Sequence, residues 1–198
     1  DEHFEALQKM KNELLQFQQA AVLIAAKKLN NREGVFIGDV VGLGKTFTAC
    51  ALAKIFEEDF FFSTLIICPP NLKTMWWSYI ERYDLKAVVI SIGEVQKKLP
   101  ELKRFKLVII DESHNLRNDQ GSRYNSIKEY LKENEPKVIL LSATPYNKSY
   151  LDLSNQLRLF IPDDKDLGIS PENYINEIGG QVRFSANHSE TFIRSIKA

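Results

Sequence analysis

Residues Gly38 to Thr46 read GDVVGLGKT, the stretch in which residue type and spacing speak most directly of chemistry. Gly42 and Gly44 carry no Cβ, so the backbone N–H groups around Leu43 can close on a phosphate chain. Lys45 then stands where it meets β- and γ-phosphates, and Thr46 offers a hydroxyl to Mg2+. A helix starting at this point adds its partially positive N-terminus to the anion site. The strict phosphate-loop pattern has Gly where this chain has Asp39. A glycine-rich turn into an ordinary helix is the bland alternative, and the strand-loop-helix context weighs against it. Gly42, Leu43, Gly44, Lys45 and Thr46 are therefore candidate contacts for a nucleoside triphosphate such as ATP, held with Mg2+.

A second constellation, DESH, spans Asp111 to His114 and follows the apolar run Leu107 to Ile110. An Asp at such a strand end can hold Mg2+, and the next carboxylate can orient or deprotonate an attacking water. We assign Asp111 to the metal and Glu112 to the water, against the alternative of a solvated acidic turn. His114 reads equally as a surface hydrogen-bonding residue and as a functional one. Ser142 and Thr144 precede Pro145 in SATP, where simple turn chemistry competes with a role at the site. The basic run Lys97, Lys98, Lys103, Arg104 and Lys106 can meet phosphates, although charge runs are usually solvated faces. Trp76 and Trp77 are expected to pack rather than stack on bases. Cys50 and Cys68 lack metal-ligand spacing and are expected to be core thiols.

The elements that position these residues follow from hydrophobic pattern. Five short apolar runs occur in order: Val35 to Ile37, Leu65 to Cys68, Ala87 to Ile90, Leu107 to Ile110 and Val138 to Leu141. They are continuous rather than alternating, as in strands buried on both faces, and helical patterns separate them over Thr46 to Glu57, Asn71 to Tyr83 and Ser122 to Leu131. Asn71, after Pro69 and Pro70, is the expected N-cap of its helix. An amphipathic helix is expected over Leu14 to Leu29, with Leu14, Phe17, Ala21, Ile24 and Ala25 on its apolar face. The fold class is thus α/β with a mainly parallel sheet and helices on both faces. In such a sheet ligands bind beyond the carboxyl ends of the strands, the edge where all these candidates fall.

With 198 residues the chain is expected to form one domain over residues 1–162, with an appendage over 163–198. It is long enough to bury about 70% of its unfolded surface without disulfides. Equal counts of 26 basic and 26 acidic residues exclude a charge-driven blanket affinity for nucleic acid or membrane. No apolar stretch approaches the roughly 20 residues that span a bilayer, and no signal-peptide pattern opens the chain. The expectation is a cytoplasmic protein, bacterial and nucleoid-associated, without a membrane partner.

The order GDVVGLGKT, CPPNLKTMW, DESHNLRN, LLSATPYN resembles the first RecA-like lobe of superfamily 2 helicases and translocases, and within them the Swi/Snf-type branch. The resemblance covers Leu14 to about Pro162, and that branch commonly has an acidic residue at the position of Asp39. It implies that Gln18, after the aromatic Phe17, contacts adenine, with Gln19 the adjacent choice. Pro69, Leu72 and Trp76 match motif Ia, Asp111 to His114 motif II, and Ser142, Ala143 and Thr144 motif III. Asn118 and Asn147 sit where the branch usually has Asn. By resemblance, His114, Ser142 and Thr144 couple nucleotide state to lobe movement; Pro69 and Asn71, together with Lys97 and Lys98 of the basic run, are candidate nucleic-acid contacts.

What the resemblance implies is an ATP hydrolase that uses Mg2+ and moves on double-stranded DNA. Lys45, Asp111 and Glu112 are its expected catalytic residues. Motors of this kind close two lobes around ATP, and the second lobe supplies an arginine worth about 10³ to 10⁵ in rate. A second RecA-like lobe is therefore an expected partner, without which this lobe is nearly inactive. A strand-separating DNA or RNA helicase and a non-hydrolysing nucleotide-sensing module stand as alternatives.

Overall fold

The computed structural model describes residues 16–38, 44–116, 119–143 and 151–162. Asp39, Gly42, Leu43, Asn118, Thr144 and Asn147 lie outside the described residues, as do Leu14, the side chain of Phe17 and the appendage over 163–198.

All five apolar runs become strands: β1 (Gly34–Gly38), β2 (Thr64–Cys68), β3 (Ala87–Ser91), β4 (Leu107–Ile110) and β5 (Lys137–Ser142). They form one parallel sheet in the order β1-β5-β4-β2-β3. Helices α1 (Gln16–Asn31), α2 (Lys45–Phe60), α3 (Lys73–Tyr83), α4 (Val95–Lys98), α5 (Ser122–Asn134) and α6 (Leu151–Leu157) surround it. Because side chains alternate across a strand, each central strand feeds two cores. Ile66, Ile109 and Ile139 pack with Leu29, Leu52 and Trp76 on one face. Leu65, Ile67, Val108 and Leu140 pack with Ile127, Tyr130 and Leu131 on the other.

Burial on both faces holds for β2, β4 and the apolar core of β5 but not for the edges. Val88 of β3 is exposed, and β1 loses cover toward Gly38, because an edge strand has a neighbour on one side only.

Helix α1 buries a face rotated from the one its periodicity suggests, with Ala21 exposed and Ala25 still packed against the core. Gln18, Val22, Ala26 and Leu29 point inward, whereas Ile24 is 58% exposed. These four lie at helical steps of four, four and three, so packing selected a stripe that includes a glutamine.

Asn71 is not an N-cap. Pro69 and Pro70 open a 3-10 turn over Pro70–Leu72, Asn71 lies inside it, and Leu72 precedes α3 without a side-chain cap bond. The packing expectation holds for Trp76, which is fully buried, and fails for Trp77, which is 47% exposed. Adjacent residues on a helix are about 100° apart, so only one can face this sheet.

Among the described residues no helix is long and apolar enough to cross a membrane.

Candidate nucleotide site at the carboxyl edge of the sheet

The parallel register brings the strand ends level, with Gly38 beside Ser142 and Cys68 beside Ser91. Central strand β4 runs into Asp111, whose amide donates to the Ile67 carbonyl at 2.8 Å and so extends the β2–β4 pairing by one step.

On the β1 side, α2 starts from Gly44 at φ +81°, a left-handed conformation that suits glycine. A Cβ at Gly44 would overlap Nε2 of Gln18. Gln18 is 8% exposed and lies on the buried stripe of α1, so its amide is laid against the backbone at the start of α2. The alternative of a solvated Gln18 is thereby excluded. Lys45 and Thr46 follow in the first turn of α2, both half-buried, and the Thr48 amide bonds back to the Gly44 carbonyl at 2.9 Å. This turn presents backbone N–H groups, a cation and a hydroxyl from one helix start, the donor set a phosphate chain requires.

Asp111 is only 5% exposed. Its Oδ2 accepts the Trp76 indole N–H at 2.9 Å, and its Oδ1 accepts the Glu112 amide at 2.9 Å. Burial pushes its carboxyl pKa up; the Trp76 and Glu112 N–H groups and the Lys45 charge pull the other way, while the Glu112 charge adds to the rise. A buried carboxylate whose ionisation is opposed by burial gains from a cation. Among the described residues no group of three or more His, Cys, Asp or Glu can hold a metal alone. Asp111 with Thr46 and phosphate oxygens fits Mg2+, which favours one or two carboxylates plus phosphates and water.

Glu112 adopts φ +51°, a strained conformation for a residue with a side chain. Its carbonyl accepts both the backbone N–H and the side-chain amide of Asn115, at 3.0 and 2.9 Å, inside the 3-10 turn Ser113–Leu116. Its Oε2 lies 2.9 Å from His114 Nδ1, which is also 3.4 Å from Ser142 Oγ. Glu112, His114 and Ser142 thus form a line from the end of β4 to the end of β5.

The candidate nucleic-acid contacts fall at the ends of β2 and β3. Pro69 is half-buried, and Asn71 and Lys97 are exposed. Lys98 is tied to Glu94 at 2.7 Å. Glu94 also takes the Lys73 ammonium at 3.0 Å and the Ser91 amide at 2.7 Å, so it organises this corner.

Sequence reasoning missed the bond from Trp76 to Asp111. The signal available was that a buried indole N–H needs an acceptor. Glu94 carried no signal beyond lying four residues before Lys98.

A parallel α/β lobe with this arrangement belongs to the RecA-like ATP-binding class. Residues 71–153 match the DEAD/DEAH box helicase family. The chain is 30% identical over 170 residues to the Bos taurus SWI/SNF-related matrix-associated actin-dependent regulator of chromatin subfamily A-like protein 1, covering 75% of this chain and 17% of that protein. The Drosophila melanogaster protein of the same name is 27% identical over 174 residues, covering 76% and 22%. The fold matches the Sulfolobus solfataricus SWI2/SNF2 ATPase core in complex with dsDNA, with TM-score 0.66, 18% identity and coverage of 84% of this chain and 40% of that one. The chain is an N-terminal RecA-like lobe of the Swi/Snf type of helicase. It spans about a fifth of the length of the curated relatives it matches. The bacterial, nucleoid-associated setting expected above draws no support from these relatives, which come from animals and Sulfolobus solfataricus.

Proposed function

We propose that this chain is the ATP-binding lobe of a translocase that couples ATP hydrolysis to movement on double-stranded DNA. The observation that carries this reading is Asp111: buried at the end of the central strand, pinned by Trp76, and within the field of Lys45 at the start of α2. Bound Mg2+ supplies charge neutralisation for the transferred phosphoryl group, with Thr46 and Asp111 as its protein ligands. Gly42, Leu43 and Gly44 cradle the phosphates, Lys45 neutralises their charge, and Gln18 contacts adenine. Glu112 orients the attacking water and accepts its proton, with His114 holding the carboxylate in place.

His114, Ser142 and Thr144 relay nucleotide state toward a second RecA-like lobe that supplies the stabilising arginine. Pro69, Asn71, Lys97 and Lys98 meet DNA phosphates. Residues 1–162 constitute the lobe and 163–198 its appendage or connection. Double-stranded DNA is favoured as the track because the structural relative is described in complex with it.

The test is Mg-ATP hydrolysis by the full-length protein with no nucleic acid, duplex DNA, single-stranded DNA or RNA, and with Glu112→Gln as control. Stimulation by duplex DNA that weakens with salt is expected, because phosphate contacts release counterions. Stimulation by single strands or RNA alone replaces the translocase reading with a strand-separating one. Binding of ATP without stimulation by any nucleic acid overturns both.

A further inference from the structure

We propose that Gln156 is a positioning residue: it ties α6 to the turn that carries Glu112, and this tie sets how strongly DNA drives ATP hydrolysis. The inference rests on the reading of Glu112 given above and extends it to Gln156, which lies outside the recognised motifs.

Gln156 and Ser113 are both 0% exposed. Ser113 Oγ donates to Gln156 Oε1 at 2.7 Å, and Gln156 Nε2 donates to the Asp152 carbonyl at 2.7 Å, one turn back in α6. The same helix is held from α5, where the Tyr124 hydroxyl donates to the Asn155 carbonyl at 2.8 Å. A buried hydroxyl and amide that lose alignment forfeit a bond water cannot replace, so the pair fixes the register of α6 on the Ser113–Leu116 turn.

Ser113 lies between Glu112, held at φ +51°, and His114, which faces both Glu112 and Ser142. The two residues that follow Glu112 are thus each anchored to another element, Ser113 to Gln156 of α6 and His114 to Ser142 at the end of β5. Displacement of α6 acts, through Ser113, on the turn immediately C-terminal to Glu112. A helix bonded to the residue next to a water-positioning carboxylate can pass lobe movement into the hydrolysis step.

The test uses the full-length protein with Ser113→Ala and Gln156→Met combined, which replaces both polar partners with apolar groups and so spares folding. The variant is expected to keep its KM for ATP within about twofold, while duplex DNA-stimulated kcat falls about five- to tenfold, the scale of couplings carried by such contacts. A thermal midpoint that shifts while kcat and the stimulation by DNA stay at wild-type values overturns the proposal, since that is the pattern of packing alone. If the paired variant fails to fold, Ser113→Ala alone decides by the same split. Glu112→Gln is measured in parallel. Turnover surviving in Glu112→Gln sinks the reading of the site, whereas turnover lost there with full stimulation in the paired variant sinks this inference only.

Discussion

The indole N–H of Trp76 donates to Asp111 Oδ2 at 2.9 Å, joining two buried side chains 35 positions apart in sequence. Strands β2 and β4 are neighbours, so the helix that follows β2 passes beside the end of β4. Trp76 thereby holds one oxygen of the carboxylate while the Glu112 amide holds the other, and the orientation of Asp111 is set before any cation arrives.

Trp76→Phe keeps most of the packed ring but deletes the donor. Loss of such an orienting partner typically costs about 10- to 100-fold in metal affinity or activity. The expected result is a rise in the Mg2+ concentration needed for half-maximal ATPase, with stability lowered by about 1–3 kcal/mol for the buried oxygen left without this bond. A magnesium titration superimposable on wild type rules the role out.

Gly44→Ala meets two obstacles, a φ of +81° and the Gln18 amide. The left-handed conformation alone costs roughly 1–2 kcal/mol for a residue with a Cβ. Urea unfolding is expected to show at least that loss. Adding Gln18→Ala recovers only the part due to overlap, and a double variant no more stable than Gly44→Ala shows that Gln18 does not crowd this turn.

Glu94 is held well below the usual carboxylate range, first by Lys98, then by the Ser91 amide and hydroxyl and by Lys73. Because the folded state favours the ionised form, the stability Glu94 adds is complete above the ordinary carboxylate value. It is lost as pH falls through the lower folded value. Glu94→Gln is expected to cost about 1 kcal/mol near neutrality after allowance for solvent and salt screening, and less as pH drops below about 4. The same variant releases Lys73 and Lys98 and is expected to tighten salt-sensitive DNA binding. Unfolding at two pH values and a DNA titration check both halves; a pH-independent difference contradicts the first.

Burial pushes the thiols of Cys50 and Cys68 up, that of Cys68 to about 12, and the nearby Asp111 charge adds to both. A thiol-reactive probe at about pH 8 is therefore expected to leave both untouched in the native protein and to label both in denaturant. Native-state labelling of either on the timescale of a free thiol contradicts the core placement.

Much of this lobe is legible in one dimension. Five apolar runs of strand length, the helical stretches between them, and the fall of GKT, DESH and SAT at run ends are all properties of residues within a few positions of one another. They suffice for a parallel α/β sheet and for the edge where its chemistry lies. What the sequence left open was partnership. Periodicity on α1 suggested an apolar stripe through Ile24, but contact with the start of α2 turned Gln18 inward and left Ile24 in solvent. Asn71 looked like a cap until Pro70 opened a 3-10 turn around it. The bonds that orient the site, Ser142 to His114, Trp76 to Asp111 and Ser113 to Gln156, span 28, 35 and 43 residues. Local pattern determined which elements form, because helices and strands answer to near neighbours. Strand order and packing decided which side chains meet, because such distances close only when the sheet is assembled.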